Sequence, residues 1–254
     1  MIYLESRYVD SDSDTQEAPV IAQTLVGDVT LIRMDSGENC FTPRMLDALE
    51  RALVEIEEDG GAGALVLTGT DRVFSYGLDL AWMAGARIAE QDELLRRVHD
   101  LFARLLTFPV ATVAALNGHA FGGGAMLALA CDQRVMRIDR GYFCLPEVDF
   151  GLPFTAGMAT LIRRRLAPQV AYEAMATGRR YGGDEARAAA IVDATASEEM
   201  VVAAAVERAQ ALVGKPRPIV RAIKRELYGE VLAALAASEI DRELLPEPLR
   251  APAA

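Results

Sequence analysis

The chain has 254 residues, a formal net charge of -11 and a hydrophobic content of 52%. That size suits one large domain or a core with a smaller appendage, and the acidic balance argues against non-specific nucleic-acid binding. No apolar run is long enough to span a bilayer and no secretory leader is visible. The scattered Cys40, Cys131 and Cys144, with only His99 and His119, give no metal-ligand spacing, so reduced thiols in a cytoplasmic protein are the expectation.

Residues 1–19 are rich in Asp, Ser and Glu without sustained periodicity and read as a mobile acidic arm. Val20 to Ala22 starts a first strand, and Val29 to Met34 alternates as a second. Thr42 and Pro43 form a helix start, and Met45, Leu49, Ala52, Leu53 and Ile56 share one face of a helix reaching Glu58. Asp59-Gly60-Gly61 ends it, and Ala64 to Thr68 is a short buried strand. Val73 to Leu80 predicts a strand end, a glycine turn and a helix start, with Asp79 placed to cap that helix. Gln91 to Leu106 is an amphipathic helix. Val110 to Leu116 is a buried strand after Pro109. Gln133 to Arg137 and Tyr142 to Leu145 are further strands, and Pro146 to Pro153 reads as a loop carrying acids between apolar residues. From Thr155 onward the composition is helical, with helices expected at 156–165, 168–177, 183–190, 197–213, 216–227 and 230–244. Strand–helix repeats followed by a helical end predict an α/β core with an α-helical appendage.

The chain is organised around Asn117 to Asp132, where Gly122, Gly123 and Gly124 precede the helix formers Ala125 to Ala130. Consecutive glycines let backbone approach a ligand closely, and the first amides of a helix lack internal partners and carry the positive end of its dipole. Such a turn suits an anion or a developing oxyanion. A tight strand-to-helix crossing that needs small residues for packing explains the glycines equally well. No Lys-Ser or Lys-Thr follows Gly124, so a phosphate-loop nucleotide hydrolase is a poor fit.

Three marks now stand in order: Phe74-Ser75-Tyr76-Gly77-Leu78-Asp79-Leu80, Leu116 to Gly124, and Pro146-Glu147 through Gly151-Leu152-Pro153. With Ala174 to Gly178 and Ala189 to Asp193, they give the chain a pattern that resembles the crotonase superfamily of enoyl-CoA hydratases and isomerases over about Val20 to Tyr228. The resemblance implies an α/β spiral core of ββα turns, assigned to residues 20–193. It also implies a C-terminal α-helical trimerisation region at residues 194–254, and a homotrimer or dimer of trimers. The implied ligand is an acyl-CoA thioester. No separate cofactor or metal is implied, since coenzyme A belongs to the substrate. The family's two oxyanion-hole amides fall on Leu78 and Gly123. Ser75, Tyr76, Gly77, Asp79, Phe121, Gly122, Met126, Trp82 and Lys224 fall on positions expected to contact the substrate or its CoA.

Hydratases of the superfamily carry two glutamates. The first position is Met126 here; the second is Glu147, in its Pro-Glu pair. One carboxylate suffices to move a proton from C2 to C4 of a 3-enoyl thioester, and Glu147-Val148-Asp149-Phe150-Gly151-Leu152 resembles the isomerase branch. Burial between Leu145, Val148 and Phe150 would raise the carboxyl pKa and strengthen it as a base. Without the two turns, Glu147 reads as a surface carboxylate. Met126 also reads as a gap-filling core residue, Asp79 as a helix cap, Trp82 as core, and Lys224 and Arg225 as a solvated helix face. Hydration or another crotonase-type reaction, and a catalytically weak acyl-CoA-binding subunit, are the competing readings.

Overall fold

The computed structural model describes residues 6–8, 18–60 and 63–250. Of the expected mobile arm, Ser6–Tyr8 (β1) pairs antiparallel with Ile21–Val26 (β2), and residues 1–5 and 9–17 lie outside the described residues. Strand β2 turns through Gly27, at φ 61°, into Val29–Met34 (β3). From there one unit recurs. Strand β3 leads to Cys40–Phe41 (β4) and helix Pro43–Asp59 (α1). Ala64–Thr68 (β5) leads to Val73–Ser75 (β6) and Gly77–Leu78 (β7), then to helices Leu80–Gly85 (α2) and Ile88–Leu106 (α3). Ala111–Leu116 (β8) leads to His119–Phe121 (β9) and helix Gly123–Ala130 (α4). Gln133–Arg137 (β10) leads to Phe143–Cys144 (β11) and helix Glu147–Phe150 (α5).

In each unit the first strand enters one large sheet and the second enters a small one. The large sheet runs β1-β2-β3-β5-β8-β10-β12, with Ala194–Ala196 as β12; the small sheets run β11-β9-β6 and β4-β7. This is the expected ββα spiral. Period-two alternation sorts the large sheet's side chains. Ile32, Leu65, Leu67, Ala114 and Leu116 face the main core. Val29, Leu31, Ala64, Val66, Val113 and Ala115 face the other way and are covered by Val201, Ala205 and Ala209 of helix Val201–Gln210 (α9). Burial on both faces is what a parallel sheet demands, and it explains the strands' near-continuous apolar runs.

Helices Ala156–Arg165 (α6), Pro168–Thr177 (α7) and Gly183–Ala188 (α8) precede α9, and Arg217–Ala236 (α10), a 3-10 turn at Arg242–Leu244 and Glu247–Arg250 (α11) follow it. Here the structure corrects the sequence. The two helices expected at 216–227 and 230–244 are one continuous helix ending at Ala236. Gly229 costs about 1 kcal/mol inside a helix, but its position is open, with nothing within 4 Å. Buried Tyr228, Val231 and Leu235 hold the helix on either side of it. The expected 197–213 helix shortens to Val201–Gln210. The expected loop at Pro146 to Pro153 contains α5, a single turn closed by Gly151 at φ 65°. Among the described residues no helix is long and apolar enough to cross a membrane.

Candidate active site

The two glycine turns meet back to back. Gly77 has φ 79°, and a β-carbon on it would lie 2.4 Å from the Gly123 nitrogen, nearer than any side chain is tolerated. A β-carbon on Gly124 would lie 2.1 Å from the Ser75 carbonyl oxygen. The packing explanation for the glycine triplet therefore holds. Close packing of α4 on β6 and β7 carries Gly123, the first helical residue, and Leu78 onto one cavity. The Gly123 amide has no acceptor within its own helix.

Buried amides and hydroxyls fix the first turn. Ser75 Oγ donates to the Asn39 carbonyl oxygen at 2.7 Å and accepts from the Gly77 N–H at 3.0 Å. Asn39 Nδ2 donates to the carbonyl oxygens of Val73 at 3.3 Å and Phe74 at 3.2 Å. Asn117 Oδ1 accepts from the Gly69 N–H at 2.9 Å, and its Nδ2 donates to the Thr70 carbonyl oxygen at 3.1 Å. Asn39 was missed as a positioning residue. Its signal is an asparagine ahead of the Cys40–Phe41 pair, at φ 51°, a conformation asparagine tolerates better than most residues.

Glu147 opens α5 directly after Pro146 and is buried on the cavity wall. Its Oε1 would lie 3.2 Å from a β-carbon on Gly122, and its Oε2 is buried with no hydrogen-bond partner among the described residues. Loss of hydration pushes the carboxyl pKa from 4.5 up to about 7. The source of the burial differs from expectation. Val148 is 47% exposed, because a helical turn swings it outward from the position an extended chain would give it. Leu145 is fully buried and Phe150 reaches the cavity with its outer side in solvent. Asp149 turns away as well, its carboxylate lying against Gly178.

The cavity has a volume of about 90 Å³. Tyr76, Leu78, Gly122, Gly123, Met126 and Glu147 all line it, and Glu147 is its sole carboxylate among the described residues. Met126, 1% exposed, occupies wall where a second acid would stand. Other expected contacts lie behind this surface. Ser75 is buried beneath the turn, and Gly77 backs onto Gly123. Asp79 caps α2, its Oδ1 accepting from the Trp82 N–H at 2.9 Å. Trp82 packs against the core outside the cavity lining. Phe121 stacks on Tyr76 with ring centroids 5.3 Å apart and so supports a lining residue without being one. Thr155, missed in the sequence, lines the cavity and shares a 3.0 Å hydrogen bond with His99 Nε2. Burial lowers the His99 pKa to about 4, so the ring is neutral.

Lys224 requires correction. It is not solvated and lies outside the cavity lining; its Nζ is buried and bonded to Asp132 Oδ2 at 2.6 Å and to the Val110 carbonyl oxygen at 2.9 Å. Asp132 Oδ2 also accepts the Thr112 N–H at 2.8 Å, so the pair ties α10 to the start of β8. Lys224→Met is expected to cost about 2 kcal/mol, the cost of breaking a largely buried pair reduced for the partial exposure of Asp132. Urea titration would read this loss. Affinity for coenzyme A in the folded variant should not change, and a weakened affinity there would return Lys224 to the site.

The sequence profile of the enoyl-CoA hydratase/isomerase family matches residues 24–249. The chain is 34% identical over 221 residues to enoyl-CoA delta isomerase 2, a peroxisomal protein of Arabidopsis thaliana, covering 82% of this chain and 92% of that one. Among solved structures, an enoyl-CoA hydratase from Mycobacterium ulcerans superposes with a TM-score of 0.81 at 30% identity, covering 86% of this chain and 95% of that one. Human mitochondrial delta3-delta2-enoyl-CoA isomerase superposes with a TM-score of 0.80 at 25% identity, covering 85% and 86%.

Proposed function

The chain belongs to the enoyl-CoA hydratase/isomerase family and has its crotonase fold, and from that premise we propose that it isomerises a 3-enoyl-CoA to the conjugated 2-enoyl-CoA. The observation that carries this reading is a single buried carboxylate, Glu147, on a cavity where Met126 takes the place of a second acid. Syn addition of water uses two acids, one on the water and one on the proton at C2. A double-bond shift uses one. Glu147 takes the C2 proton, the electron pair of that C–H bond moves towards the thioester, and the negative charge rests on the carbonyl oxygen. The Leu78 and Gly123 N–H groups receive that oxygen, already oriented by the packed turns, so little reorganisation accompanies charge development. Glu147 then returns the proton to C4. The delta isomerase relative from Arabidopsis thaliana supports the same reading.

A carboxyl near pKa 7 is well matched to this work, since its basic and acidic forms are close in free energy at neutral pH. Coenzyme A enters as part of the substrate, and the reaction as written needs no other cofactor. Incubation with 3-hexenoyl-CoA should generate the absorbance of a conjugated 2-enoyl thioester, while crotonyl-CoA should be hydrated slowly or not at all. Rapid crotonyl-CoA hydration without isomerisation would overturn the proposal. Because the free enzyme must present the ionised carboxylate, kcat/KM should rise with pH and level off above about 7. At pH 5.5 it should lie roughly thirtyfold below the plateau.

A further inference from the structure

After α10 the chain doubles back across the N-terminal end of α3. Ser238 Oγ accepts the Gly157 N–H at 2.6 Å, and Arg242 Nη1 donates to Gln91 Oε1 at 3.0 Å while its Nη2 pairs with Asp92. Gln91 Nε2 donates in turn to the Met83 carbonyl oxygen at 2.7 Å. This chain of bonds seats residues 240–249 against α2, and Ile240, Leu245 and Leu249 become cavity wall. Leu245 and Leu249 are only 2% and 5% exposed, so the segment packs as core. Leu80, Met83 and Leu95, on α2 and α3, line the cavity with them. This part of the lining is wholly apolar, whereas Glu147 and the two turns belong to other elements.

We propose that residues 240–249 are the stop at the end of the acyl pocket and confine the protein to short-chain acyl thioesters. The inference rests on the isomerase reading for its substrate and on the cavity alone for its length limit. A thioester held at Leu78 and Gly123 sets its acyl tail, and not its phosphates, against this apolar lining, because among the described residues no lysine or arginine lines the cavity. A long tail reaches the Leu245 and Leu249 side chains and must displace them from their packing, re-exposing apolar surface to water. A short tail ends before them.

The test compares 3-hexenoyl-CoA with 3-dodecenoyl-CoA, both below their aggregation concentrations. The wild-type kcat/KM should favour the six-carbon chain at least tenfold. Leu245→Ala and Leu249→Ala should shrink that ratio at least fivefold by raising the twelve-carbon value. Arg242→Gln, which unties the segment without touching its packing, carries the same expectation should an alanine exchange unfold the protein. Equal wild-type turnover of both chains overturns the proposal, and so does a preference that no variant shifts. If neither thioester is isomerised, the isomerase reading fails by itself. Calorimetric binding of saturated hexanoyl-CoA and dodecanoyl-CoA then tests the stop without turnover. A tenfold preference for hexanoyl-CoA supports it, and equal affinity overturns it.

Discussion

Replacing Glu147 with glutamine is expected to lower kcat/KM for isomerisation by about three orders of magnitude, because general acid–base catalysis of this kind contributes about 10²–10⁴-fold and, among the described residues, no second carboxylate lines the cavity. Glutamine keeps the shape and removes the titratable carboxyl, so substrate affinity should stay within a few-fold of wild type. The same exchange should stabilise the protein. Burial raises the Glu147 pKa from 4.5 to about 7. Between those values the folded state retains a proton that the unfolded chain releases. The stabilising contribution is full below pH 4.5, declines as pH rises, and is gone above about 7. Above that pH the wild type carries a buried, poorly solvated charge whose cost is about 3 kcal/mol on the scale of that shift. Urea titrations should find the Glu147→Gln variant more stable by up to that amount at pH 8 and indistinguishable from wild type at pH 4. Equal stability at both values would mean that the carboxylate is solvated and unsuited to act as a base.

Gly77→Ala should damage both fold and chemistry. Holding alanine at φ 79° costs about 1–2 kcal/mol in the left-handed region. Its β-carbon would also meet the Gly123 nitrogen at 2.4 Å and the Gly124 nitrogen at 2.8 Å. Backbone cannot rotate aside as a side chain can, so the two turns must separate and carry Leu78 away from Gly123. The expected result is a loss of about 4 kcal/mol, the conformational cost plus a clash of overpacking size. The surviving folded fraction should lose at least about 10²-fold in kcat, as when an oxyanion donor is withdrawn. Gly85→Ala is the control, since a β-carbon there meets nothing within 4 Å. Equal behaviour of the two variants would sink the interpretation of the paired turns.

What could be read from the sequence was what is encoded locally. Thr42 and Pro43 mark the start of α1, and Gly60 at φ 64° closes it. Apolar runs such as Ala64–Thr68 mark fully buried strands, and the glycine turns and the Pro146-Glu147 pair mark residues that line the cavity. The rest depends on partners distant in sequence. Lys224 on its own helix resembles a solvated charge, and its half-buried partner Asp132 lies 92 residues earlier. Thr155 reaches the cavity where its hydroxyl meets His99 of α3, 56 residues earlier, and Leu245 and Leu249 reach it only because the segment after α10 folds back onto α2 and α3. The break expected between 227 and 230 does not occur, because Gly229 weakens the helix by less than the flanking buried side chains hold it. Helix α5 spans only Glu147–Phe150, too short for any period to register, and that single turn decides why Glu147 points inward and Val148 outward.

The identity of residue 126 bears on any attempt to redirect the chemistry. A carboxylate installed there would share one apolar chamber of about 90 Å³ with Glu147. Two acids so confined titrate as a coupled dyad, and the second ionisation is driven well above neutrality by like-charge repulsion on top of lost hydration. Met126→Glu alone would therefore yield a site that clings to a proton when water activation requires both acids in defined states. On the isomerase reading, conversion to a hydratase would demand new hydrogen-bond donors around the chamber as well as a second glutamate.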